Sequence, residues 1–117
     1  MKYKVMIVED QTMPRELFEL RVQSSEHFEV ALSIDNAALT DVYCLRFPVD
    51  LILMDVVTRG GESGLDAAER IKRAFPQIKI IIVTSMPECS YLSRAREIGV
   101  ESFWYKEEQR ESLLDVM

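Results

Sequence analysis

The sequence has few of the residues that disulfide-rich or zinc-binding domains require. It contains two cysteines, Cys44 and Cys89, which lie far apart and form no C-x-x-C pair. This spacing argues against a disulfide framework and against a structural zinc site. We interpret both cysteines as small buried or half-buried residues of predicted helices, and the single histidine, His27, as a solvated loop residue.

Long hydrophobic runs are also missing. Apolar stretches such as Ile80–Val83 are far too short to span a bilayer. The first residues, Met1–Val5, run directly into a strand-like segment and contain no small-residue cleavage site, so no signal peptide is predicted. We therefore expect a cytoplasmic protein without a membrane partner.

Positive charge is scarce. The chain has 14 lysines and arginines against 20 aspartates and glutamates, which gives a net charge of −6. A surface this acidic repels phosphate backbones, so the chain by itself is not expected to bind nucleic acid. Another protein or a cation is the partner that this charge favours.

What the sequence does contain is apolar material for one core. Of its 117 residues, 48% are hydrophobic, and this length suits a single domain. Five apolar, β-branched runs predict strands at Tyr3–Val8, Phe28–Ile34, Val49–Met54, Ile78–Val83 and Glu101–Tyr105. The first, third and fourth runs are apolar at successive positions, which is typical of parallel strands covered by helices on both faces.

Segments of helical period alternate with these strands. The first predicted helix, Met13–Ser24, carries an apolar stripe of Met13, Leu17 and Leu20, and another helix carries the stripe of Leu65, Ala68, Ile71 and Phe75. Phe47 and Phe75, each followed by proline, are predicted to end helices, and Gly99 is predicted to follow the end of the fourth helix. The alternation predicts an α/β fold with a doubly wound parallel sheet.

Polar residues follow the predicted strands at one edge of the sheet. Glu9 and Asp10 follow the first strand, Asp55 the third, Thr84 the fourth and Lys106 the fifth. In an open α/β sheet, ligands bind at the carboxyl ends of the strands. We therefore expect three carboxylates, a hydroxyl and an amine to converge there.

This set of groups suits phosphoryl transfer with a divalent cation. Crowded carboxylates repel one another unless a cation neutralises them, and Mg²⁺ prefers oxygen ligands. A carboxylate such as Asp55 can attack a phosphoryl group, while a cation and Lys106 stabilise the transferring group. Taken singly, Asp10 or Thr84 could be a helix cap and Lys106 a surface charge. Their joint position at the strand ends favours the functional interpretation.

Four segments resemble the motifs of response-regulator receiver domains: Met6–Asp10, Leu51–Asp55, Ile81–Ser85 and Phe103–Lys106. The resemblance covers the whole chain and implies a flavodoxin-like five-stranded sheet in the order 2-1-3-4-5. It also implies that Asp55 is the phosphoacceptor. Asp10 would bind Mg²⁺ directly and Glu9 through water, and the backbone carbonyl of Val57 would be a further ligand.

The resemblance assigns roles to three further residues. Thr84 would bind the phosphoryl group as the switch hydroxyl, Lys106 would pair with the phosphate, and Phe103 would be the rotameric aromatic switch. The implied partner is a sensor histidine kinase, and a homodimer is an open possibility. The chain would support only its own Mg²⁺-dependent phosphorylation and dephosphorylation, so we do not expect an enzyme.

Two departures from the family pattern stand out. Residues 55–64 lack the Met-Pro pair that often follows the aspartate, and this segment is one residue longer than the family pattern. Glu107 follows Lys106 where many receivers have proline, which is similar to the NarL/LuxR type.

Three alternatives are weighed against the receiver interpretation. A flavodoxin-like cofactor module would need a phosphate-cradling loop after the first strand, where Glu9 and Asp10 would repel a phosphate. An aspartate-nucleophile phosphotransfer enzyme would have a second acid two residues after Asp55, where Val57 stands. A receiver-like domain that serves only as a protein-interaction module would not need the complete set of acidic, hydroxyl and lysine groups.

The end of the sequence predicts a further domain. The last predicted helix begins near Gln109, and its stripe of Leu113, Leu114 and Met117 is still running at the last residue. We expect residues 1–117 to be the receiver half of a longer regulator, with a DNA-binding output domain after it. The alternative is a short terminal helix with nothing following it.

Overall fold

The computed structural model describes residues 2–56, 63–84 and 89–105, with the backbone alone for residues 84, 89–92 and 103–105. Five strands are observed: β1 (Tyr3–Val8), β2 (Phe28–Ile34), β3 (Leu51–Asp55), β4 (Lys79–Thr84) and β5 (Ser102–Tyr105). The helices are α1 (Thr12–Gln23), α2 (Thr40–Arg46), α3 (Gly64–Ala74) and α4 (Cys89–Ile98), and a short 3₁₀ turn, Ala37–Leu39, precedes α2. The predicted helix near Gln109 lies outside the described residues.

The strands form one parallel sheet in the order β2-β1-β3-β4-β5. This confirms the predicted fold class and strand order. The first two strands have the predicted bounds, whereas β3 begins two residues later than predicted and β4 and β5 each begin one residue later. Just before β3, the Asp50 N–H donates to the Lys4 carbonyl, and the Asp50 side chain accepts from the Lys4 N–H.

Successive residues of the central strands pack on opposite faces of the sheet. Met6, Ile52 and Ile82 contribute to the core that α2, α3 and α4 cover. Their sequence neighbours, such as Ile7 and Leu53, contribute to the core that α1 covers. Both faces are therefore buried, which explains why these strands are apolar at every position.

The predicted orientation of α1 is wrong. Met13, Leu17 and Leu20, the predicted apolar stripe, are 81%, 47% and 65% exposed, whereas Phe18 and Val22 are buried against the sheet. Phe18 and Val22 lie four residues apart and therefore share one face of the helix. The helix can present only one face to the sheet, and the face with the aromatic ring is the buried one.

The predicted helix ends are confirmed. The chain leaves the helical conformation at Phe47 and at Phe75, each of which precedes a proline. Gly99 follows α4 with a φ of 91°, a conformation that L side chains rarely adopt. Among the described residues, no helix is long and apolar enough to cross a membrane.

Cys44 is buried in α2, as expected. Burial, together with the nearby charge of Asp41, raises the pKa of its thiol to about 11. A thiol with this pKa stays protonated at neutral pH and is a poor nucleophile, so Cys44 is a core residue rather than a reactive one.

Lys72 joins the end of α3 to the starts of β4 and β5. Its ammonium group donates to the Ile78 carbonyl at 2.8 Å and to Glu101 Oε2 at 2.8 Å. Glu101 Oε1 in turn accepts from the Ile80 N–H at 2.9 Å. The Lys72 side chain is only 13% exposed, so water cannot readily replace these bonds.

We predict that Lys72→Met lowers the free energy of unfolding by about 1–3 kcal/mol, because it leaves partly buried acceptors without their donor. The matched control is Arg73→Met, which removes an exposed ion pair to Glu69 on the same helix and should change stability by less than about 0.5 kcal/mol. Urea denaturation measures both values. Equal losses for the two variants would contradict the role given to Lys72.

Candidate metal and phosphoacceptor site

Three carboxylates converge at the carboxyl ends of β1 and β3. Val8 of β1 lies opposite Met54 of β3, so Glu9 and Asp55 follow paired residues of adjacent strands. One carboxylate oxygen from each of Glu9, Asp10 and Asp55 lies within 4.8 Å of the others. β2 lies on one side of β1, and β3, the next strand in the chain, lies on the other, so this edge is the switch point of the sheet. The predicted convergence of the acidic residues is thereby observed.

The three carboxylates differ in depth. Glu9 is completely buried, Asp55 is 8% exposed and Asp10 is half-buried at the opening of the site. Burial of ionised carboxylates is unfavourable unless hydrogen bonds or a cation compensate for the lost hydration. The donor set of three closely spaced carboxylates therefore fits Mg²⁺, which prefers hard oxygen ligands.

The first turn of α1 supports the site. Arg15 Nη1 donates to the Glu9 carbonyl oxygen at 3.2 Å, and the Glu9 N–H donates to the Ile34 carbonyl at 3.0 Å. The N-cap residue of α1 is Gln11, so the alternative in which Asp10 caps this helix is wrong. Asp10 remains available to the site, and Arg15 is a supporting residue that sequence reasoning did not identify.

The remaining predicted site residues are described only in part. Thr84 ends β4 opposite Tyr105, and Phe103 lies opposite Ile82 in β5. Thr84 is thus one residue beyond Val83, the β4 partner of Asp55. The side chains of Thr84 and Phe103 lie outside the described part of the structure, as do Val57 and Lys106.

The sequence matches one family model over nearly its whole length. Residues 5–117 match the response regulator receiver domain. The chain therefore belongs to the response regulator receiver domain family, whose members act in phosphorylation-dependent signalling.

The curated relatives that the chain matches are about twice its length. It is 30% identical over 99 residues to the Fimbriae Z protein of Escherichia coli K12, covering 85% of this chain and 47% of that protein. It is 28% identical over 111 residues to the oxygen regulatory protein NreC of Staphylococcus haemolyticus, covering 95% of this chain and 51% of that protein. The chain thus spans about half the length of these relatives.

Solved structures show the same fold. A LuxR-family DNA-binding response regulator from Staphylococcus aureus has a TM-score of 0.88 at 24% identity, covering 97% of this chain and 94% of that one. RcsB of Salmonella enterica serovar Typhimurium, bound to the promoter rprA with BeF₃⁻, has a TM-score of 0.88 at 18% identity, covering 99% and 66%. At these identities the likeness shows the fold alone, and the NarL/LuxR type stays a prediction from the sequence.

We predict that Mg²⁺ raises the free energy of unfolding of the wild type, because it binds the folded carboxylate cluster and not the unfolded chain. Asp10→Asn should lose most of this gain. Without metal, the same variant should be more stable than the wild type by about 1–2 kcal/mol, because it relieves repulsion among the carboxylates.

The matched control is Glu16→Gln, which removes an exposed carboxylate from α1 outside the cluster. It should keep the full response to Mg²⁺. Thermal and urea denaturation, with EDTA and with Mg²⁺, measure these effects. An Asp10→Asn variant that responds to Mg²⁺ like the wild type would rule out Asp10 as a ligand.

Proposed function

We propose that Asp55 accepts a phosphoryl group from a sensor histidine kinase and that this modification switches the output of a longer response regulator. The observation that supports this proposal is the convergence of Glu9, Asp10 and Asp55 at the switch point of a receiver-type sheet. Asp55 lies at the end of a fully buried strand, so its backbone is fixed while its side chain remains partly accessible.

The proposed reaction transfers one phosphoryl group. A carboxylate oxygen of Asp55 forms a bond to phosphorus while the bond to the donor, the phosphorylated imidazole of the kinase, breaks. The imidazole leaves with the electron pair of that bond and takes up a proton. Bound Mg²⁺ would neutralise negative charge on the transferring group. Asp10 and Glu9, with the Val57 carbonyl, are the proposed residues that hold it.

The proposed switch uses residues beyond the carboxylates. A phosphoryl group adds about 1.5–2 negative charges and three acceptor oxygens. Thr84 and Lys106 are the proposed partners of these oxygens, and the inward movement of Thr84 would allow Phe103 to rotate. The chain would then catalyse only its own Mg²⁺-dependent phosphorylation and dephosphorylation, in the cytoplasm where the kinase domain acts.

We predict that the wild type, incubated with Mg²⁺ and acetyl phosphate, gains the mass of one phosphoryl group and that Asp55→Asn gains none. The reason is that the amide lacks the nucleophilic oxygen charge of the carboxylate. Intact-mass spectrometry measures the result. The control is Asp41→Asn, which alters a carboxylate of α2 that pairs with Arg70 and should label like the wild type. Equal labelling of Asp55→Asn would refute the assignment of Asp55.

We also propose that an output domain follows residue 117 in the natural protein, that this domain binds DNA, and that the active form is a homodimer. The length of the curated relatives, of which the chain spans about half, supports this proposal. It also explains how a receiver with a net charge of −6 can act in transcription.

The longer gene product is therefore expected to bind duplex DNA with an affinity that falls steeply as salt increases, because each phosphate contact releases counterions. Residues 1–117 alone should not bind. Fluorescence anisotropy at two salt concentrations measures both proteins. A stop codon directly after codon 117 in the source gene would remove the proposed DNA-binding role.

A further inference from the structure

Gly64, the first residue of α3, lies directly against the end of β3. A Cβ atom added to Gly64 would lie 2.8 Å from the carbonyl carbon of Asp55 and closer still to its carbonyl oxygen. It would also lie 3.0 Å from Met54 Cγ. The nearest of these atoms belong to a buried backbone, which cannot move aside as the tip of a flexible side chain can. Any side chain at position 64 would therefore have to push Asp55 away.

The backbone conformation of Gly64 does not itself require glycine. Gly64 is helical, and the described glycine with a positive φ is Gly99. The space beside Asp55, rather than the backbone conformation, is therefore the reason for glycine at this position.

A hydrogen bond holds the same two segments together. The Gly64 N–H donates to the carbonyl oxygen of Val56 at 2.7 Å. Gly64 thus touches the carbonyl of Asp55 and bonds to the carbonyl of the next residue. The start of α3 is itself fixed by Ser63, whose side-chain oxygen accepts from the Leu65 N–H at 3.1 Å.

From these contacts we infer that Gly64 is a positioning residue, which fixes the backbone of Asp55 at the distance from Glu9 and Asp10 that the site requires. Its neighbour Met54 pairs with Val8 of β1, and Asp55 is held by pairing with Val83 of β4 and by Gly64 at its carbonyl. A helix that stands farther from β3 would remove this last restraint. The role of Gly64 in phosphoryl transfer rests on the proposed function of Asp55. The effect of Gly64 on the position of the carboxylates does not depend on that function.

The test compares Gly64→Ala with Ser63→Ala. Both variants disturb the start of α3, but Ser63→Ala removes only the helix cap, which costs about 1 kcal/mol, and adds no atom beside Asp55. Mg²⁺ affinity is measured by NMR titration of the backbone amides of Glu9, Asp10 and Asp55. Urea denaturation gives the stability of each variant, and mass spectrometry gives its rate of labelling by acetyl phosphate.

Gly64→Ala should bind Mg²⁺ about 10- to 100-fold more weakly than the wild type, and Ser63→Ala should stay within about twofold of it. The Asp10 amide, which lies outside α3, should shift in Gly64→Ala without any ligand and stay unchanged in Ser63→Ala. Equal Mg²⁺ affinities and equal Asp10 shifts in the two variants would overturn the inference.

A measurement on the wild type covers the case in which Gly64→Ala does not fold. Scalar coupling across the hydrogen bond from the Gly64 nitrogen to the Val56 carbonyl carbon should be detectable, and its absence would overturn the inference.

The proposed function of Asp55 and the positioning role of Gly64 can fail separately. If the wild type takes no phosphoryl group, the proposed function of Asp55 is refuted, but the comparison of Mg²⁺ affinities and amide shifts still tests Gly64. If the wild type is labelled and the two variants have equal Mg²⁺ affinities and equal Asp10 shifts, only the positioning role of Gly64 is refuted.

Discussion

The pairing of β1 with β3 brings the three carboxylates of the candidate site together. Val8 lies opposite Met54. Glu9 and Asp10, which follow Val8, and Asp55, which follows Met54, therefore lie at the same edge of a sheet whose two faces are both buried. Two unit charges about 5 Å apart near a protein surface repel by roughly 3 kcal/mol. Such a cluster is unfavourable for the folded state by itself, and a divalent cation removes the repulsion. The cluster therefore suits cation binding better than it suits the stability of the folded state.

The carboxylates at this edge are attached to buried, well-restrained backbone. β3 is buried along its whole length, so the backbone of Asp55 has little freedom. Gly64 brings α3 into contact with that backbone, and Arg15 bonds to the backbone of Glu9 from α1. At the opposite end of the sheet, Lys72 and Glu101 join α3, β4 and β5. The helices α1 and α3, which follow the two site strands, are therefore tied to the sheet by polar contacts as well as by the core.

Much of this arrangement could be predicted from the sequence, and the exceptions have physical causes. The strand pattern and the helix ends follow from short-range features: apolar runs, residues before proline, and Gly99. The acidic site follows because parallel strands end at a common edge. The buried face of α1 could not be read from leucine spacing, since Met13, Leu17 and Leu20 form as regular a stripe as Phe18 and Val22. The roles of Arg15 and Gly64 depend on distances between elements, which no local pattern contains, although glycine directly after a capping serine is a weak signal.

Asp55 itself is proposed to carry the phosphoryl group. Borohydride reduction converts an aspartyl phosphate to homoserine, so it marks the modified residue in the unaltered protein. Peptide mapping after acetyl phosphate, Mg²⁺ and borohydride should find homoserine at position 55 and an unchanged aspartate at position 10. Homoserine at position 10, or at neither position in a protein that has gained phosphoryl mass, would contradict the account.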